Sequence, residues 1–167
     1  MAIKGARPDP GRVTPHLVVR NADEAMRFYK AAFGAVELYR SPLPNGQGTH
    51  VHFRIANSML MLTEEDRNPE QQAKLATALA SPQTLGGTTT VFELDVPDAD
   101  ATVERAVKAG GKATLPLMDA FWGDRYGWVT DPFGYIWAIA TVREELTPEE
   151  VKQRMDAMFA QMSHCGS

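Results

Sequence analysis

A chain of 167 residues with 44% apolar side chains is long enough for one compact domain with a full core, which excludes disorder throughout. Its 17 basic and 21 acidic residues give a formal charge of −4 and form no basic patch, arguing against nucleic acid as the main partner. The one cysteine, Cys165, leaves no internal disulfide, no apolar run nears the roughly 20 residues of a membrane span, and MAIKGARPDPGR lacks a signal-peptide core. A soluble cytoplasmic protein with no membrane partner is therefore the expectation.

Residues 1–12, with two prolines and two glycines, read as a loose arm. Val13 to Val19 reads as a strand. Asn21 then caps a helix with Glu24 three residues on, and Ala25, Tyr29, Ala32 and Phe33 follow at helical spacing until Gly34 stops it. Val36 to Arg40 is a short strand. His50–Ile55 and Ser58–Thr63 form a hairpin about the turn Ala56-Asn57. The stretch to Gly87 is polar and irregular, with room for a helix between Pro69 and Ala80. The pattern then restarts. Thr89–Val96 is a strand, Asp98 a cap, and Ala99, Val103, Ala106 and Val107 a helical stripe ended by Gly110-Gly111. Lys112–Leu117 is a strand, and FWGDRYGWVTDPFGYIWAIAT is a second hairpin reversing at Asp131-Pro132-Phe133-Gly134.

An offset of 77 residues lays Asn21 on Asp98, Leu17 on Leu94, Val19 on Val96, Gly34 on Gly111 and turn residue Asn57 on turn residue Gly134. The chain thus reads as two copies of a β-α-β-β-β unit, an α+β fold. Module 1 covers about 13–63, a connector 64–87 and module 2 about 88–141, making one domain over 1–142. A helix follows over 146–163, capped by Thr147 and Glu150, with Val151, Met155, Met158, Phe159 and Met162 on one face. That face either packs on its own domain or serves as a methionine-rich dimer contact.

The doubled unit, the FY pair of the first helix, and the blocks TPHLVVRNADEAMRFYKAAFG, SPQTLGGT and FWGDRYGWVTDPFGYIWAIAT together resemble the vicinal oxygen chelate superfamily. That superfamily includes glyoxalase I, bleomycin-resistance proteins and extradiol dioxygenases, and the match is nearest to its bacterial glyoxalase-like branch. The resemblance implies that the modules curl into a cup-like mixed sheet with helices outside. In many relatives two chains assemble so that both form or flank the cups, so a homodimer is expected. Metal-dependent members hold one divalent ion with one side chain from the first and one from the last strand of each copy. Carried over, those positions are Thr14, Met61, Val91 and Ala138, none a usual ligand for a hard or borderline cation. A shift of two residues would offer His16 and Glu93 but leave the other two corners without ligands. No metal and no other cofactor is therefore expected, and metal-dependent glyoxalase I activity is disfavoured.

Strand alternation puts His16 beside Thr14, and His50, His52 and Arg54 on the Met61 face, with Glu93 and Asp95 on the Val91 face. His16, His52 and Glu93 are either ordinary partly solvated residues or a convergent polar site for a substrate. Arg125 is either a structural ion pair or a carboxylate clamp. Should Val129 pair with Ile136, Gly127 would lie opposite Trp137 or Ala138, which leaves the facing of Arg125 and Trp128 open. Among the aromatics, Trp137 and Tyr135 suit the core, while Trp122 and Trp128 could stack on a ring-bearing ligand. The favoured function is metal-independent binding or sequestration of a small organic molecule, using His16, His52, Met61, Glu93, Arg125, Trp122 and Trp128. The alternative is a lyase or oxygenase-type enzyme at a displaced His/Glu site, with or without a divalent metal.

Overall fold

The computed structural model describes residues 13–43, 46, 48–65 and 79–164, with side chains to 161 in the last helix. The helix anticipated between Pro69 and Ala80 falls almost wholly outside these residues, as does Cys165. Module 1 comprises β1 (His16–Val19), α1 (Ala22–Phe33), β2 (Val36–Pro42), β3 (Thr49–Ile55) and β4 (Ser58–Glu64). A one-turn helix, α2 (Pro82–Leu85), ends the connector. Module 2 comprises β5 (Val91–Asp95), α3 (Ala99–Lys108), β6 (Lys112–Asp119), β7 (Asp124–Thr130) and β8 (Ile136–Val142), and α4 (Pro148–His164) follows. The strands form two four-stranded sheets of the same design, β1-β4-β3-β2 and β5-β8-β7-β6, each with its first strand parallel to its last and the others antiparallel.

The repeat holds in detail. Ala22 and Ala99, at the same offset of 77, open the two long helices. Asn21 accepts hydrogen bonds from the amides of Asp23 and Glu24, and Asp98 accepts from Ala101. Both satisfy amides that a helix start leaves without intrahelical partners. Strand β1 begins only at His16, because Pro15 has no amide to donate, although its carbonyl still accepts from Met61 at 2.9 Å.

One face of each sheet is covered by helix. Leu17, Val19, Val51, Phe53, Leu60 and Leu62 are buried against Ala25, Met26, Tyr29 and Ala32 of α1. Each large apolar side chain so buried contributes about 1.5–3 kcal/mol from removal of its surface from water. The two modules share this core. Tyr29 stacks on Phe53 at 5.5 Å between ring centroids and meets Trp137 of module 2 at 5.6 Å.

The second turn fastens the modules together. Asp131 is only 4% exposed, and its carboxylate accepts from Tyr29 Oη at 2.8 Å, Trp137 Nε1 at 3.0 Å and the amides of Phe133 and Tyr135 at 2.9 Å each. Burial pushes its pKa above the ordinary value, against the opposing pull of these four donors. The Tyr135 hydroxyl reaches β1, accepting the Val18 amide at 2.7 Å and donating to the Val18 carbonyl at 3.1 Å. By holding two amides inside the turn, Asp131 stretches the reversal to five residues, 131–135. Thr130 consequently pairs with Ile136, and Gly127 lies opposite Ile139 rather than Trp137 or Ala138.

The last helix starts with a reciprocal capping box, in which Glu150 accepts the Thr147 amide at 2.8 Å and donates its own amide to Thr147 Oγ1 at 3.3 Å. Arg154 anchors it to Glu144 at 2.7 Å. Its apolar stripe is not taken into the core: Val151, Met155 and Met158 are half-buried and Phe159 is 54% exposed.

Candidate functional site

Each sheet has a second face, turned away from α1 or α3, and strand register decides what stands there. Across the first sheet, one row reads His16, Met61, His52, Tyr39. The corresponding row of the second sheet reads Glu93, Ala138, Trp128, Leu115. Thr14 precedes β1 and Val91 pairs with Ile136, so the residues directly beside Met61 and Ala138 are His16 and Glu93. At neighbouring-strand spacing these side chains are within mutual reach.

On the first sheet three imidazoles gather. His50 and His52 alternate onto one face of β3 and bring their Nε2 atoms to 2.9 Å, with ring centroids 4.8 Å apart. The His16 ring meets His50 edge-on at 5.2 Å, and Tyr39 meets His52 at 5.6 Å. With both rings neutral, opposite tautomers let one Nε2–H donate to the other ring's lone pair. Partial burial lowers the pKa of His16, with the His52 charge second. The same cause lowers that of His50, followed by His16 and His52. Both are therefore neutral near pH 7.

On the second sheet Glu93 is exposed and pairs with Ala138. Among the described residues no hydrogen bond, ion pair or ring contact joins it to the histidines. The structure thus brings His16 and His52 together beside Met61. Ala138 is fully buried. Beside it runs an aromatic strip: Trp128 Nε1 donates to Tyr126 Oη at 2.8 Å, and Tyr126 packs against Trp122 at 5.2 Å. Trp122 is fixed in turn by a 2.8 Å bond from its indole nitrogen to Asp124. Both tryptophans are half-buried.

Arg125 lies on the other face of β7. It pairs with Asp100 at the start of α3 at 2.8 Å and with Asp119 at 3.4 Å, in a cleft of about 590 Å³ that Arg143 and Glu144 also line. Its guanidinium is thus partnered by carboxylates of its own chain, away from Trp128.

The donor set does not fit the ion that the resemblance implied. Met61 offers a thioether and Ala138 only a methyl group where a carboxylate or imidazole would be needed. Among the described residues no group of three or more His, Cys, Asp or Glu is arranged to hold a metal.

Two residues of this region do more than their local sequence signals. His50 is the nearest partner of His52, and the i, i+2 spacing on a strand was its signal. Asp131 looked like a turn residue only, because its main partner, Tyr29, lies 102 residues away.

Comparison with known proteins agrees with this architecture. Residues 11–139 match the family model described as the Glyoxalase/Bleomycin resistance protein/Dioxygenase superfamily. An uncharacterized protein of Mycobacterium bovis is 39% identical over 145 residues, covering 87% of this chain and 92% of its own. Among solved structures, a glyoxalase-related enzyme from Fulvimarina pelagi aligns with TM-score 0.60 at 23% identity, over 78% of this chain and 88% of that one. The fosfomycin resistance protein FosX of Listeria monocytogenes, complexed with Mn(II) and sulfate, aligns with TM-score 0.60 at 19% identity, over 88% of this chain and 98% of that one. At these identities the solved structures speak for the fold, whereas the model match spans most of the chain. The chain belongs to the Glyoxalase/Bleomycin resistance protein/Dioxygenase superfamily.

Proposed function

We propose that this protein binds a small, ring-bearing organic molecule against the sheet faces turned away from α1 and α3, without a divalent ion at the superfamily's usual corners. The observation that carries this reading is the pair of equivalent rows. Met61 and Ala138 stand where oxygen or nitrogen donors would be required, while His52 and Trp128 beside them offer a hydrogen-bonding ring and a flat stacking surface. Met61 adds a polarizable contact for an aromatic ligand. Sequestration needs no more than this, because a binder has no transition state to stabilise.

The test is tryptophan fluorescence titrated with a panel of aromatic antibiotics, for the native protein and for Trp128→Phe. Saturable quenching that the substitution reduces severalfold supports the reading; a panel without saturable quenching removes it. Binding that needs added divalent metal removes the metal-independent part.

A second reading, a lyase or oxygenase-type enzyme, draws on the 2.9 Å contact between His50 and His52, a geometry suited to moving a proton. Its test is elemental analysis of protein purified without chelator, with and without His52→Ala, followed by turnover assays on oxygen-bearing substrates. The half-buried stripe of α4 supports a homodimer in which Met155 and Met158 meet a second copy, readable by sedimentation of the protein truncated before Thr147. We assign the protein to the cytoplasm, a reading that rests on its single cysteine; no helix among the described residues is long and apolar enough to cross a membrane.

A further inference from the structure

The first sheet's open face has an unusual charge composition. It carries the three imidazoles, the Arg54 guanidinium from β3, the Tyr39 phenol and Ser41 hydroxyl from β2, and Met59, Met61 and Thr63 from β4. Among the described residues of these four strands, no carboxylate shares that face. Glu37 lies on the other face of β2, paired with Arg40 at 2.9 Å, and Glu64 accepts the Ala22 amide at 2.8 Å. The face therefore gains positive charge as it takes up protons and has no acid of its own to balance it.

We propose that this face captures an anionic oxygen group, specifically the carboxylate of a ring-bearing organic acid, and takes up a proton as it does so. The proposal rests on the binding reading above and names the chemical class of its ligand. In the free protein the His50–His52 pair shares one Nε2–H internally, which leaves one ring nitrogen without a proton to offer outward. One added proton makes a single imidazolium of the pair, since protonating both rings would set two like charges 2.9 Å apart, and no carboxylate among the described residues of this face balances even that one charge. A ligand carboxylate does so. Each of its two oxygens accepts one imidazole N–H, the internal hydrogen bond opens, and the incoming proton comes from solvent. No covalent bond is made or broken. His16, edge-on to His50, and Tyr39, against His52, flank the same spot and can donate to the remaining lone pairs. Such charge-assisted bonds are roughly twice as strong as neutral ones.

The test is isothermal titration calorimetry with benzoate and its uncharged counterpart benzamide, between pH 5.5 and 8, in two buffers of different ionisation heat. Benzoate is expected to bind at pH 6 at least about tenfold tighter than benzamide. About one proton should be taken up per benzoate, and affinity should fall about tenfold per pH unit above the imidazole pKa. In His50→Gln the proton uptake should vanish, with folding checked by thermal unfolding; the proton count on the native protein needs no variant. Equal affinity for benzamide, benzoate binding without proton uptake, or no benzoate binding at pH 6 each overturns the proposal. If the antibiotic panel still quenches Trp128 in that event, the binding reading survives and only the acid is wrong. If nothing binds in either experiment, both fall.

Discussion

The two modules share a backbone plan but put their hairpin turns to opposite uses. In module 1 the reversal is two exposed residues, Ala56 and Asn57, and Ala56 sits at φ 48°, a conformation costly for a residue with a Cβ. In module 2 it is five residues closed around the buried Asp131, which bonds to α1 of the other module. The repeated plan sets where each turn falls in its module, and burial decides what each does. A turn facing water tolerates local strain and specifies little. A turn buried between modules must satisfy every polar group, and in doing so it joins the halves.

The sharpest way to break this contrast is Asp131→Ala. It leaves the Tyr29 hydroxyl, the Trp137 indole nitrogen and two amides without their acceptor in a buried place. We expect a loss of about 3–5 kcal/mol, read from the denaturant midpoint. A loss below 1 kcal/mol would mean that water or a rearranged turn replaces the carboxylate. Next comes Tyr135→Phe, which strips the Val18 amide of its partner and should cost about 1–3 kcal/mol in the same measurement. Ala56→Gly works in the opposite direction. Relief of the left-handed conformation outweighs the added freedom of the unfolded chain, for a gain of about 0.5–1 kcal/mol; a loss would show that the turn is unstrained.

The smallest effect sharpens the comparison by pH. His16 and His50 have lowered pKa values in the folded state, so the fold favours their neutral forms. Their contribution is complete above the ordinary imidazole value and is lost as pH falls through the lowered ones. Asp131 has the opposite sign, since a raised carboxyl pKa favours folding in acid, with that contribution lost as pH rises through the raised value. Between pH 7.5 and 5, native protein should therefore lose more stability than the His16→Gln/His50→Gln double variant. Parallel curves for the two would show that the imidazole cluster is not felt by the fold.

How much of this was legible in the sequence follows the range of the interactions. The repeat was legible because its signals are local: Asn21 and Asp98 as caps, Gly34 as a stop, and the alternation of His50 and His52 on a strand. The second sheet's register was not, because the turn length depends on two amides folding back onto Asp131, and a shift of one residue reverses every side chain that follows. That shift decided the facing of Trp128 and sent Arg125 to the α3 side. Convergence of Glu93 with the histidines could not be read from alternation either. Alternation assigns a face within one sheet and is silent about the distance between two.

The phenol of Tyr135 has one more consequence, for how this molecule behaves among its own copies at high concentration. β1 ends its sheet, and the outward amide and carbonyl of Val18 would otherwise invite a foreign strand to add on. A single hydroxyl occupies both, donating to one and accepting from the other. At Val18 the border is thus closed by a side chain rather than a neighbouring strand, so losing that hydroxyl reopens a pairing point for another chain.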